Sequence, residues 1–139
     1  MKNFFVFFLL FSLSFSQSKV SIQDKEIEIN ENEAVVEVLG MVCSMCAFGI
    51  GEGFAKTDFI DKSKFTDGVS VDIDAQYVQL GLLGLTNINP EKIVQVIEDA
   101  GYDVNLLFIL QNEKLTKFSM DKLGILQPMA YNLTSDIKS

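Results

Sequence analysis

The chain has no histidine among its 139 residues, only two cysteines and only two prolines. Without histidine, no serine or cysteine has the imidazole partner that the common hydrolytic constellations require. Positive charge is also scarce: 11 basic residues stand against 19 acidic ones, for a formal net charge of −8. Such a chain repels phosphate backbones and anionic lipid surfaces, which argues against nucleic-acid binding and against docking on exposed anionic membrane. Long apolar runs are missing as well. The one uninterrupted run, Phe4 to Phe11, falls well short of the roughly 20 apolar residues that a spanning helix needs.

That run has a context of its own. Met1-Lys2-Asn3 is a short basic start, and Ser12-Leu13-Ser14-Phe15-Ser16 places small residues at the −3 and −1 positions of a cut after Ser16. This is the layout of a secretory signal peptide over 1–16, so an exported protein, periplasmic or secreted, is expected, with no stable membrane insertion after cleavage.

Both cysteines lie in Gly40-Met41-Val42-Cys43-Ser44-Met45-Cys46, directly after the alternating stretch Ala34-Val35-Val36-Glu37-Val38-Leu39. A strand running into Cys-x-x-Cys puts two thiols at the start of the next helix, where unpaired backbone N–H groups and the helix dipole favour thiolates. Thiolates bind soft metals, and two of them without histidine suit a low-coordinate cation, Cu(I) or Hg(II). In an exported protein the pair could also rest as a disulfide. A bridge closing so short a loop would constrain the unfolded chain far less than one across a long loop.

Along the remaining chain, residues 17–33 form a charged, loosely alternating linker or extra strand (Val20, Ile22, Ile27, Ile29). The spacing of Ala47, Ile50 and Phe54 predicts a helix from Ser44 to about Lys56, although Gly49, Gly51 and Gly53 each weaken it by up to about 1 kcal/mol relative to alanine. Those glycines do not fit a dinucleotide-binding pattern. Val69 to Asp74 and Tyr77 to Leu83 alternate as strands joined by Ala75-Gln76. Asn89-Pro90-Glu91 opens a second helix with a cap, a first-turn proline and a favourable charge, and Gly101 is placed to end it. Val104 to Leu110 is a last strand. The order strand, helix, strand, strand, helix, strand predicts an α+β fold: a ferredoxin-like βαββαβ sandwich with a four-stranded antiparallel sheet and two helices on one face. The tail, 111–139, has a ragged apolar pattern (Leu115, Phe118, Met120, Leu123, Ile125, Leu126). It reads as an extension that packs on the open sheet face or binds a partner.

The stretch from Val38 to about Leu107, about half of the chain, resembles heavy-metal-associated domains, the fold of copper metallochaperones and of a periplasmic mercury-binding protein. The matching residues are Gly40-Met41-x-Cys43-x-x-Cys46, Gly68-Val69-Ser70-Val71 and Ile97-Glu98-Asp99-Ala100-Gly101-Tyr102. The resemblance assigns 34–110 to such a domain and implies metal ligation by Cys43 and Cys46, with Met41 buried beneath the loop rather than ligating. It also places Tyr102 beside the loop, where it shields or hydrogen-bonds the thiolates while serving as a core aromatic. Zinc- and cadmium-handling relatives often carry a carboxylate where this chain has Val42. With neither that carboxylate nor histidine, Cu(I), or alternatively Hg(II), fits better than zinc. The implied partners are the metal ion and a membrane metal transporter or another Cys-x-x-Cys domain, and no enzymatic turnover is expected.

Other features have plainer readings. Met45, between the cysteines, reads as an exposed, idle side chain, with a soft auxiliary contact to the metal as the alternative. Asp72 and Asp74, with Asp67 nearby, are too few for a hard-cation site and belong to a solvated strand face. Asn132-Leu133-Thr134 is a glycosylation sequon only in a eukaryotic secretory pathway. The competing functional readings are an exported thiol–disulfide oxidoreductase and an interaction module holding a disulfide. Against the first, thioredoxin-like chains need a cis-proline loop facing the cysteines, and Pro90 is better explained as a helix start.

Overall fold

A computed structural model describes residues 18–129. The expected signal peptide, the sequon at Asn132 and the end of the tail lie outside the described residues. Strand β1 (Ser18–Ile22) pairs with β2 (Lys25–Ile29) in a two-stranded antiparallel sheet. Their connection, Gln23-Asp24, has φ of 46° and 67°, the doubly positive geometry whose twist matches a tight hairpin. The chain then continues through β3 (Glu33–Leu39), α1 (Ser44–Ala55), β4 (Val69–Asp72), β5 (Tyr77–Gly81), α2 (Pro90–Asp99), β6 (Asp103–Gln111), β7 (Lys114–Met120) and β8 (Leu126–Met129). The βαββαβ order expected from the sequence is therefore present from β3 to β6, and all its strand pairs are antiparallel.

The sheet is larger than the four strands expected. It has six, in the order β4-β5-β3-β6-β7-β8. The tail supplies the extra two. Asn112 and Glu113, with φ of 54° and 59°, turn β6 back into β7, and β7 pairs along β6 from Leu106↔Ser119 to Gln111↔Lys114. The tail looked ragged because its apolar residues serve two faces. Phe118 and Met120 pack toward the helices, whereas Leu115 packs on the opposite side.

Helices α1 and α2 cover one face of the sheet. Their buried Ile50, Phe54, Ile93, Val94 and Ile97 meet Ala34, Val36 and Val38 of β3 and Leu107 and Ile109 of β6. The opposite face is closed by the β1–β2 hairpin and not by the tail. Val20, Ile22, Ile27 and Ile29 pack there on Val35, Phe108 and Leu110. The segment read as a linker or an edge strand is thus a separate layer, which explains why β3 is buried on both faces. Two glutamates on that inner face are satisfied rather than stranded. Glu37 accepts from Gln23 Nε2 (3.1 Å) and Asn105 Nδ2 (2.6 Å), and Glu33 accepts from the Asn30 N–H (2.9 Å). Burial of a carboxylate is tolerable only on such terms.

The second helix has the punctuation its sequence announced. Asn89 Oδ1 accepts from the Glu91 N–H at 2.9 Å, and Pro90 occupies the first helical position. At the other end Gly101 has φ of 94°, the Gly101 N–H bonds the Glu98 carbonyl (2.9 Å) and the Tyr102 N–H bonds the Ile97 carbonyl (3.2 Å). That paired closure is the Schellman motif, and it delivers Tyr102 to the end of the sheet where β3 enters α1.

Candidate metal centre

The thiol loop grows from the end of β3. Gly40 leaves the strand with φ of 92°, a conformation that side chains bearing a Cβ rarely adopt. Met41 then turns inward and is 1% exposed, within the core cluster that also holds Cys46. Val42 turns outward and is 83% exposed. Cys43 is the N-cap of α1, extended at φ −153° and ψ 163°, without a side-chain capping bond. The Cys46 N–H bonds the Cys43 carbonyl at 3.0 Å, closing the first turn.

This turn sets the two sulfurs 3.1 Å apart. Both cysteines are free thiols, Cys43 exposed and Cys46 buried. The Cys46 thiol is pulled down from 9.0 to about 6. The first cause is a hydrogen bond from the Tyr102 hydroxyl. The Cys43 thiol and the backbone N–H groups of Val42 and Cys43 add to it, while burial opposes. Tyr102 is pushed up in turn, because its proton is held by Cys46. Tyr102 is also half-buried against the main core, a core aromatic beside the thiol whose pKa it lowers.

Met41 occupies the core position that the resemblance implies, and Met45 is 72% exposed. Asp72 and Asp74 do not form a cation site with Asp67. Asp72 is engaged by Lys25 Nζ and by the Ala75 N–H (2.9 Å), and the Lys25 ammonium holds its carboxyl below the usual range. Among the described residues, no group of three or more His, Cys, Asp or Glu is arranged to hold a metal ion. The two cysteines are therefore the only thiolate donors at the loop among the described residues, a pair that fits a soft cation satisfied by two ligands better than tetrahedral zinc.

Sequence reading missed Gln76. Its φ is 58°, and its side-chain amide lies against the loop. Oε1 accepts from the N–H groups of Gly40 and Met41, both at 3.1 Å, and Nε2 donates to the Met41 carbonyl. The available signal was slight: a glutamine in a tight strand–strand turn, where asparagine or glycine is the ordinary occupant.

Neither a protein-family model nor a curated relative matches the sequence. Solved structures similar to it include a metallochaperone and a copper transporter domain. One is the CopZ metallochaperone, 22% identical, with 52% of this chain and 97% of that chain covered at a TM-score of 0.44. Another is the N-terminal domain of PacS from Synechocystis PCC6803, 19% identical, with 52% and 92% covered at a TM-score of 0.42. A third is the yeast copper transporter domain Ccc2a, 22% identical, with 52% and 89% covered at a TM-score of 0.43. Each of these likenesses covers about half of this chain.

Proposed function

We propose that the protein binds one soft cation, Cu(I) with Hg(II) as the alternative, between Cys43 and Cys46, and sequesters it or hands it on without catalytic turnover. The observation that carries this is the asymmetric thiol pair: two free sulfurs 3.1 Å apart, one buried and one open to solvent, with no third His, Cys, Asp or Glu gathered beside them among the described residues. The low thiol pKa of Cys46 supplies an anionic sulfur near neutral pH without requiring a base.

Handover proceeds by ligand exchange. A partner thiolate bonds to the metal as the Cys43–metal bond breaks, and a second partner thiolate then displaces Cys46. No electron changes hands, and any protons released on loading return to the vacated thiolates. Fitting partners are a membrane metal transporter or another Cys-x-x-Cys domain. The signal-peptide layout of the 1–16 sequence supports an extracytoplasmic setting for this exchange, periplasmic or secreted.

Titration of the reduced protein with Cu(I) against a competing chelator tests the proposal. One equivalent per chain is expected, and none after Cys43→Ser with Cys46→Ser. Stoichiometry indifferent to the loss of both thiols overturns the assignment. The oxidoreductase reading has less support: Pro90 opens α2 and Pro128 pairs with Phe118 in β8, so neither belongs to a loop facing the cysteines. Insulin reduction at the rate of a dedicated oxidoreductase would restore it.

A further inference from the structure

We infer that Gln76 is a positioning residue for the thiol loop: its side chain holds the Gly40 and Met41 backbone in place, and with it the entry of the chain into the Cys43–Cys46 turn. The inference rests on the metal-binding reading and deepens it.

Pairing of β3 with β5 ends at Glu37↔Tyr77. Beyond that point β3 runs on against β6 only, through Val38↔Val104 and Leu39↔Asp103, after a bulge between Glu37 and Val38. The backbone groups facing β5 would have no strand partner there, and Met41 is nearly inaccessible to water. One residue fills the gap. The Gln76 carbonyl accepts from the Val38 N–H at 2.9 Å. Its side-chain amide takes the N–H groups of Gly40 and Met41 and returns a donor to the Met41 carbonyl. A primary amide has the donor and acceptor geometry of a peptide unit, so Gln76 extends the ladder as a substitute strand as far as the residue two before Cys43.

Gln76 is itself fixed. Nε2 also donates to the Ile73 carbonyl at 2.6 Å. The turn is tied by the Asp72 carboxylate to the Ala75 N–H and, through Lys25, to the β1–β2 hairpin. A side chain accepts a positive φ at a cost, and here the amide contacts exist only because the residue is long enough to reach Met41. Asparagine tolerates the same φ better but is one methylene shorter. The sequence at this turn therefore favours reach over backbone ease.

The experiment compares Gln76→Gly and Gln76→Asn with the unaltered protein, all reduced, by Cu(I) competition, thermal unfolding and amide exchange. Both substitutions relieve the positive φ, so the thermal midpoint is expected to fall little. Cu(I) affinity is expected to drop about 10- to 100-fold, the usual consequence of removing a group that orients a ligand. In the metal-free protein, exchange of the Met41 amide is expected to quicken while that of Val36 in mid-β3 does not. Unchanged Met41 exchange, or unchanged affinity with quickened exchange, overturns the inference. A lowered affinity in proportion to a general loss of protection, Val36 included, overturns it too. If the glycine variant does not fold, the asparagine variant carries the same readouts. Failure of the parent protein to bind Cu(I) overturns the metal-binding reading instead, and the Met41 exchange still reports on the loop by itself.

Discussion

The two helices lie side by side on one sheet face, yet their sequences treat them oppositely. Helix α2 is locally complete: a capping asparagine, a proline at the first position, an acidic first turn and a Schellman closure at Gly101. Helix α1 has none of these. Its N-cap is Cys43, which makes no side-chain capping bond, its first turn has no acidic residue, and it contains Gly49, Gly51 and Gly53. What α1 has is Cys46, Ile50 and Phe54 buried on one side. The helix that carries the thiols is held by tertiary packing, whereas the helix that supports the site from behind is specified by its own ends. A residue chosen for chemistry at a cap position forgoes the cap.

Phe54→Ala tests this contrast most severely. Phe54 is fully buried and meets Phe59 edge-to-face, with centroids 6.3 Å apart. Its removal is expected to cost about 3–5 kcal/mol, the usual range for a buried phenylalanine. Because α1 has no local specification to fall back on, amide exchange should show it opening before α2. Simultaneous loss of both helices would mean that they form one cooperative unit.

Next in size is the titration at the junction of the two helices. Tyr102, placed by the closure of α2, is the first cause of the lowered Cys46 pKa. The sign follows from the depression: a thiol at about 6 in the folded chain and 9.0 otherwise adds stability that is complete above the higher value and is lost as pH falls through the lower one. The reduced, metal-free protein is therefore expected to gain stability between these two pH values. Tyr102→Phe is expected to raise the thiolate midpoint, read by ultraviolet absorbance, and to narrow that gain. A midpoint unmoved by the substitution would leave the effect to Cys43 and the backbone N–H groups.

The caps provide a smaller, paired comparison. Asn89→Ala removes a bonded cap from α2 and is expected to cost about 1 kcal/mol in denaturant unfolding. Cys43→Ser gives α1 a residue able to cap and is expected to stabilise the metal-free protein by up to about 1 kcal/mol while abolishing metal binding. Opposite signs are the point. If both substitutions destabilise, Cys43 contributes to the helix end through its contact with Cys46.

These contrasts also mark what the sequence made legible. Helix α2 could be read to its ends because its signals are short-range and lie within the residues that use them. The thiol pair could be read because its spacing and preceding strand were local too. The β1–β2 hairpin and strands β7 and β8 were less clear. Val20, Ile22, Ile27 and Ile29 alternate, but which surface they cover depends on Phe108 and Leu110, far along the chain. Leu115 and Phe118 answer to opposite faces of one sheet, so no single periodicity describes them. A four-stranded expectation also left no place for residues beyond 110. Gln76 was hidden for a related reason: its role lies in contacts 35 residues away, and nothing in its neighbours announces them.

The smallest effect isolates the glycines. A Cβ built on Gly51 meets nothing within 4 Å, whereas one on Gly53 comes 3.0 Å from Val96 Cγ1 on α2. Both positions are helical, so alanine brings the same intrinsic gain, up to about 1 kcal/mol. At Gly51 that gain is expected in full, and amide exchange from Ser44 to Phe54 should slow in the metal-free protein. Once Cu(I) fixes the Cys43–Cys46 turn, the same substitution should change protection little, because the turn is then already nucleated. At Gly53 the methyl must displace Val96 or push the helices apart, and the gain should be reduced or cancelled. Gly53 is then the residue that lets α1 approach α2, and Gly51 is a helix weakness with no packing reason. Equal gains at both sites would show that Val96 yields freely. No gain at Gly51 would show that Ile50 and Phe54 hold α1 fully ordered, whatever its composition.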